Sequence, residues 1–345
     1  MSVLRNCALL LCILLCLMVS CRQRHHHVNR SFYYWKTAYK PTNFELDALQ
    51  HLAIQKIYIR LFDLEWNTTA QTVYPLAVLR MRPVADTTTQ FVPVIFITQA
   101  TLSHLQHNTD NIAARISSLA EVVCSESGIR AAELQIDCDW TANTREAYFA
   151  LLTALKKQPF LAGKELSCTI RMHQIKYTTS SGIPPVSHGV LMCYNMGNTR
   201  KYGDHNSILD VATARKYLGG TGTYPLHLNI ALPLFSWSVL FREKRFVGIL
   251  REVTPEMIAG NSAFLKASGN LYQCLRDTVW NGYTLLRNDM VRTESTTVRD
   301  LNELAGYTSG LLPNDSVDVI YFSCDSLTLS KYSLHDLETV FDHYR

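Results

Sequence analysis

The chain has 345 residues, 33 Lys and Arg against 29 Asp and Glu, and a formal net charge of +4. A charge this small, with no basic patch interleaved with aromatics, implies neither nucleic acid nor an anionic surface as a partner. Its length suits one large domain or two small ones.

The first element is a leader. Met1 to Asn6 carries a single positive charge, and Cys7 to Val19 then runs apolar without a charged residue. Spanning a bilayer takes ~20 apolar residues, so the run reads as a cleaved export peptide. It closes in Leu17-Met18-Val19-Ser20-Cys21, which resembles the lipobox of bacterial lipoproteins. That resemblance implies cleavage before Cys21, diacylation of its thiol, and an envelope protein anchored to the membrane by lipid, since stable anchoring takes more than one chain. Residues 1–20 are thus expected as a signal peptide, 21–30 as a polar tether containing His25-His26-His27, and 31–345 as one barrel domain.

From residue 30 onward, eight short β-rich runs alternate with amphipathic stretches: Phe32 to Tyr39, Lys56 to Trp66, Phe91 to Gln99, Glu133 to Trp140, Leu166 to His173, Gly189 to Asn195, Leu226 to Phe235 and Val317 to Cys324. Several are nearly continuous apolar runs, as in Val92-Pro93-Val94-Ile95-Phe96-Ile97, the mark of parallel strands covered on both faces. Helices are expected over Phe44 to Leu52, Ile112 to Val123 and Thr144 to Lys156, the last opened by capping and acidic residues. Eight βα units close most simply into a (β/α)8 TIM barrel. The alternative is an open doubly wound sheet, but no Gly-rich phosphate loop follows an early strand.

Between the last two strands, Trp237 to Asp315 reads as an elaborated insertion long enough to serve as a lid, with helical patches at Pro255 to Ala267 and Leu271 to Val279. Of the 10 cysteines, four belong to the leader and its lipobox, Cys21 included, and Cys138, Cys168, Cys193 and Cys324 lie in apolar runs. They read as small buried hydrophobes, with no disulfide framework expected. No C-x-x-C occurs, which argues against structural zinc, and no cofactor is expected.

Barrel enzymes carry their chemistry where strands end. That rule selects Trp35 on the first strand, Arg60, Asp63 and Glu65 on the second, and Asp137 and Asp139 on the fourth. It adds Arg171 and His173 on the fifth, Tyr194 and Asn195 on the sixth, Trp237 after the seventh, and Asp325 after the eighth. Residues two apart in a strand share a side. Gln135, Asp137, Asp139 and Thr141 would then face together, as would Asp63 with Glu65, and Arg171 with His173. Close carboxylates drive one pKa up while a nearby Arg pulls another down, which suits glycosidic-bond chemistry. The structural alternatives are an Arg60–Asp63 ion pair, neutralisation of Asp137 by Arg171, and plain packing of Trp35 and Trp237. His173 lacks a second histidine at a metal-ligand spacing.

Two motifs resemble family 18 glycoside hydrolases, the chitinase and endo-N-acetylglucosaminidase group. Leu134-Gln135-Ile136-Asp137-Cys138-Asp139-Trp140-Thr141 is similar to the fourth-strand signature D-x-x-D-x-D-x-E, and Met192-Cys193-Tyr194-Asn195 to the sixth-strand M-x-Y-[DN]. The resemblance implies a barrel, an amino-sugar glycan ligand, Asp139 orienting or stabilising charge with Asp137 behind it, and Tyr194 with Asn195 gripping an acetamido group. The proton-donor position holds Thr141, whose hydroxyl is far too weak an acid near neutral pH, and the first aspartate position holds Leu134. Arg171-Met172-His173-Gln174 and Leu234-Phe235-Ser236-Trp237 also look like a group of bacterial lipoproteins with barrel domains and no assigned activity.

Two functions follow as expectations. One is an envelope glycoside hydrolase whose acid has moved to Glu65 or Asp325, with Asp137 and Asp139 beside it and Trp35, Asp63, Arg171, His173, Tyr194, Asn195 and Trp237 binding substrate. The other is a non-catalytic barrel that captures glycan or a protein.

Overall fold

A computed structural model describes residues 27–83, 88–105, 108–220, 222–251, 253–313 and 316–345. The leader, Cys21 and most of the tether lie outside these residues. In chain order, β1 (His27–Tyr34), β2 (Lys56–Asn67), β3 (Thr72–Leu76), β4 (Gln90–Ile97), β5 (Glu133–Asp137), β6 (Glu165–Arg171), β7 (His188–Met192) and β8 (His227–Pro233) precede a long insertion, and β16 (Ser316–Phe322) follows it. Eight of these strands are parallel, ordered β1-β16-β8-β7-β6-β5-β4-β2 and closed by pairing of β1 with β2. The fold is the eight-stranded barrel expected from the alternation of apolar runs, and each of the eight runs supplies one barrel strand.

The strands are buried because helices cover their outer face. All five residues of β5 and all five of β7 are buried, so period-two alternation cannot show in them. Helices Asn43–His51, Thr109–Glu126 and Arg145–Leu155 fall where the apolar periodicity puts them. Thr42 caps the first of these through a reciprocal pair with Glu45. Gly189 on β7 keeps two strands close, since a Cβ there would stand 2.2 Å from Cδ1 of Ile170. The six cysteines among the described residues are free and buried.

Three expectations need correction. The first strand starts at His27, not Phe32: His27 to Tyr33 pair in register with β16, and Arg30 is buried, so the end of the proposed tether is barrel strand. Polar Asn29 and Arg30 hid it, yet Asn29 bonds Asp318 and Arg30 reaches the Leu52 carbonyl. Runs four and five also overshoot, because β5 stops at Asp137 and a short helix begins at Met172.

The insertion between β8 and β16 is mostly β, which is the third correction. Strands β9 (Trp237–Arg242), β10 (Arg245–Leu250), β11 (Phe264–Ser268), β12 (Leu271–Cys274) and β15 (Met290–Glu294) form an antiparallel sheet. Between them, β13 (Thr278–Trp280) and β14 (Tyr283–Leu285) make a hairpin. Of the helix expected over Pro255 to Ala267, only Pro255–Ala259 forms, and Leu271 to Val279 is strand and turn. β9 and β15 are buried along almost their whole length while β11 is mostly exposed, so no clean alternation marks these strands. The insertion has its own small core around Leu240, Val291 and Cys274. It is fastened to the loop after β7 by Arg292, fully buried, whose Nε donates to Glu294 at 2.6 Å and whose Nη atoms reach the carbonyls of Thr199 and Lys201. Glu294 in turn accepts from the Ser207 amide and from Trp237 Nε1. Removing one member of so buried a pair costs about 3–5 kcal/mol.

Candidate glycan site at the barrel mouth

The carboxyl ends of the strands bring Asp137, Asp139, Arg171 and Tyr194 together. Asp137, the last residue of β5, is buried and accepts from Thr169 Oγ1 at 2.6 Å. Burial raises its pKa to about 6; Thr169 opposes that, the Asp139 charge adds to it, and Arg171 opposes it again. Two residues on, Asp139 is half-exposed and held by Arg171 in a two-pronged pair, with Nη2 to Oδ2 at 2.7 Å. Arg171 therefore neutralises Asp139 rather than Asp137. The expected single row from Gln135 to Thr141 is broken where β5 ends. Gln135 points into the barrel and accepts from Tyr33 at 2.6 Å, while Thr141 is exposed in the turn that leads into helix Arg145–Leu155.

Arg171 and His173 are likewise not strand neighbours. Arg171 caps the helix Met172–Lys176, its amide donating to the Gln174 side chain, and His173 stands on that helix, exposed. Partial burial and the Arg171 charge hold the His173 pKa below its ordinary value, so its imidazole is neutral near pH 7. Both residues nonetheless line one cavity of about 260 Å³ with Tyr194, Asn195, Met196 and Tyr217. Asn195 sits there in the left-handed region at φ 54°, a conformation Asn tolerates better than most residues.

Two buried polar atoms at this cavity have no partner: the Tyr194 hydroxyl and Arg171 Nη1. Burial, then the Asp137 charge, drives the Tyr194 pKa well up, so the phenol keeps its proton and can donate. An unmet buried donor costs about 1–3 kcal/mol. A ligand oxygen accepting from either would remove that cost.

The rim is aromatic. Trp35 packs on Phe322 at 5.6 Å between ring centres, Phe322 on Tyr194 at 5.4 Å, Tyr194 on Phe235 at 5.8 Å, and Phe235 on Trp237 at 5.2 Å. Trp35 and Trp237 are thus the two ends of one continuous aromatic run across the mouth. Phe322 links them, and although it lay inside the eighth predicted strand nothing local marked it. Thr169 was also missed; its signal was its place two residues before Arg171, on the same side of β6.

The other candidates are engaged with one another or with the scaffold. Arg60 and Asp63 pair through two hydrogen bonds, Nε to Oδ1 at 2.7 Å. Residues three apart share a face here because β2 has a bulge between Arg60 and Phe62 that re-phases the alternation. Glu65 lies farther out, in the β2–β3 hairpin opposite Tyr74, and is not among the residues lining the cavity. Asp325 caps the helix Ser326–Leu329 and pairs with Lys36 at 3.0 Å, and Lys36 also holds the buried Glu45 at 2.8 Å.

No family model and no curated protein matches this chain. Solved structures do. The Bacillus cereus spore cortex-lytic enzyme SleL aligns with a TM-score of 0.55 at 12% identity, over 93% of this chain and 75% of that one. The fold is shared with such barrels. The Ostrinia furnacalis Group II chitinase catalytic domain 2 also aligns at 0.55 and 12% identity, over 92% of this chain and 96% of its own. A GH18 chitinase from Cycas revoluta in complex with (GlcNAc)3 gives 0.51 and 12%, over 92% and 99%. At these identities the likeness concerns the fold alone.

Proposed function

We propose that this chain is a lipid-anchored envelope protein whose barrel mouth binds an amino-sugar glycan. The observation that carries the reading is the pair of unmet donors, Tyr194 Oη and Arg171 Nη1, beside an open cavity that shares Tyr194 with the aromatic run across the mouth. An acetamido carbonyl is an acceptor that both could serve, and sugar rings stack on aromatic faces. Support also comes from the motif around Asp137 and Asp139, and from the barrel neighbours, some of which are chitinases.

Binding without cleavage is favoured over hydrolysis for chemical reasons. The family's acid position is Thr141, Asp139 is neutralised by Arg171, and Asp325 is committed to Lys36 and a helix cap. One observation favours the second reading, a hydrolase with a relocated acid: Asp137, at about 6, holds its proton in a range suited to general acid work. The deciding experiment is calorimetric titration of the unlipidated domain with N-acetylglucosamine oligomers and peptidoglycan fragments, with product release followed by mass spectrometry. Binding without product supports the receptor; product lost in Asp137→Asn establishes the hydrolase; neither binding nor product removes sugar from the reading. Anchoring rests on the Leu17 to Cys21 motif, and no helix among the described residues is long and apolar enough to cross a membrane. Cys21→Ala is expected to move the protein from the membrane fraction to the soluble one.

A further inference from the structure

The opposite end of the barrel holds a second constellation that the glycan reading does not use. Glu133, Glu165, His188 and His227 are each the first residue of their strands, β5 to β8. The parallel register brings Glu133 level with Glu165, and His188 level with His227. They line an open cavity of about 350 Å³ at the barrel floor, together with Lys56 and Asp318.

The geometry centres on His188. Its Nε2 lies 3.1 Å from Glu133 Oε1 and its Nδ1 lies 3.3 Å from Glu165 Oε2. A neutral imidazole has one N–H and one lone pair, so it cannot donate to both carboxylates. Either a protonated ring, which burial opposes but Glu133 and Glu165 favour more strongly, or a bound cation would satisfy both. Lys56 does not, because its ammonium is spent on Asp318 at 2.6 Å. The floor therefore sets three carboxylates against one lysine and His188.

We propose that this floor binds a zinc-class divalent cation, with one oxygen each from Glu133 and Glu165 and one ring nitrogen of His188 as ligands. One ligand atom from each of the three lies within 4.8 Å of the other two. Ligands at ~2.0–2.2 Å around a tetrahedral centre stand about 3.4 Å apart, so closure needs roughly an ångström of movement. Glu165 can make it, its side chain being 62% exposed, while Glu133 is fixed by Ser167, which donates to the same Oε1 that faces His188. Water or His227, whose ring centre is 6.2 Å from that of His188, completes the shell. An imidazole with two carboxylates favours Zn²⁺ over Mg²⁺, which prefers oxygen and keeps its water. The bound ion ties the starts of β5, β6 and β7 together and so acts as a structural staple.

The test is calorimetric titration and thermal unfolding of metal-stripped full-length protein with Zn²⁺ and with Mg²⁺. It is done in a background where His25, His26 and His27 are alanine, so that this run cannot take the metal. The expected result is one Zn²⁺ per chain, an unfolding temperature raised by several degrees, and little response to Mg²⁺. Glu165→Gln, at an exposed position, is expected to weaken Zn²⁺ binding at least tenfold without changing the fold, and His188→Gln to abolish it. No heat and no thermal shift with Zn²⁺ would overturn the proposal. Equal affinity in the Glu165→Gln variant, or an equal shift with Mg²⁺, would do the same.

Discussion

The two ends of the barrel are built from similar residues but are short of different things. At the floor, three carboxylates, Glu133, Glu165 and Asp318, face one lysine and an imidazole, so acceptors outnumber cations. At the mouth the charges are matched, Asp63 by Arg60 and Asp139 by Arg171, while Asp137 is partly protonated near neutral pH. What is left over there is donors, Tyr194 Oη and Arg171 Nη1. A floor short of cations suits a metal; a mouth short of acceptors suits a neutral, oxygen-rich ligand. The lesson is that unmet valence tells more about a ligand than the count of charged residues does.

The largest expected effect tests the floor. Asp318 is buried and accepts from Asn29, Lys56 and Tyr58, so Asp318→Ala strands a lysine and a buried phenol. A loss of about 3–5 kcal/mol is expected in urea unfolding, with glycan affinity unchanged in the folded fraction. Lost affinity in that fraction would break the separation of the two ends.

Next comes the pH dependence at the mouth. The folded pKa of Asp137, about 6, stands above its ordinary 3.8, so the native state keeps a proton that the unfolded chain releases. Stability is expected to fall as pH rises from about 4 to about 6, by on the order of 3 kcal/mol, and to stay lower above that. Asp137→Asn should flatten the slope while keeping an acceptor for Thr169, and unfolding curves across that range would show it. An unchanged slope would move the titration to another group.

A smaller effect sharpens the comparison. Tyr194→Phe removes an unmet hydroxyl, so stability should hold or rise by up to about 1 kcal/mol, while glycan affinity falls about tenfold, a loss of about 1.4 kcal/mol. Destabilisation instead would reveal a partner for the hydroxyl and end the contrast with the floor. The smallest change is expected for Asp325→Asn, which weakens a half-exposed pair and keeps a cap, costing about 0.5–1 kcal/mol. Binding should be untouched, and a loss of product release in this variant would restore Asp325 as the acid.

Much of the barrel was legible because parallel strands under helices must be apolar along their whole length, and Val92 to Ile97 or Leu228 to Leu232 show it locally. The insertion was less so: β11 exposes Leu265 and β13 exposes Val279, and strands without clean alternation blur into helix. At the mouth, the tips of the strands pointed to Asp137, Tyr194 and Arg171, but alternation was extended past the residues where it stops. The β2 bulge, the end of β5 at Asp137 and the helix starting at Met172 each reset the phase.

The sequence by itself determined the eight strands, the place of the insertion, and the strand tips where chemistry would sit, since each depends on neighbours a few residues away. Only the tertiary structure decided who pairs with whom. Arg171 could have answered Asp137 or Asp139, and the clamp on Asp139, 32 positions earlier in the chain, is set by where β5 ends. The floor row of Glu133, Glu165, His188 and His227 was invisible for the same reason. Its members are single residues at four strand starts, and closure of the barrel alone puts them side by side.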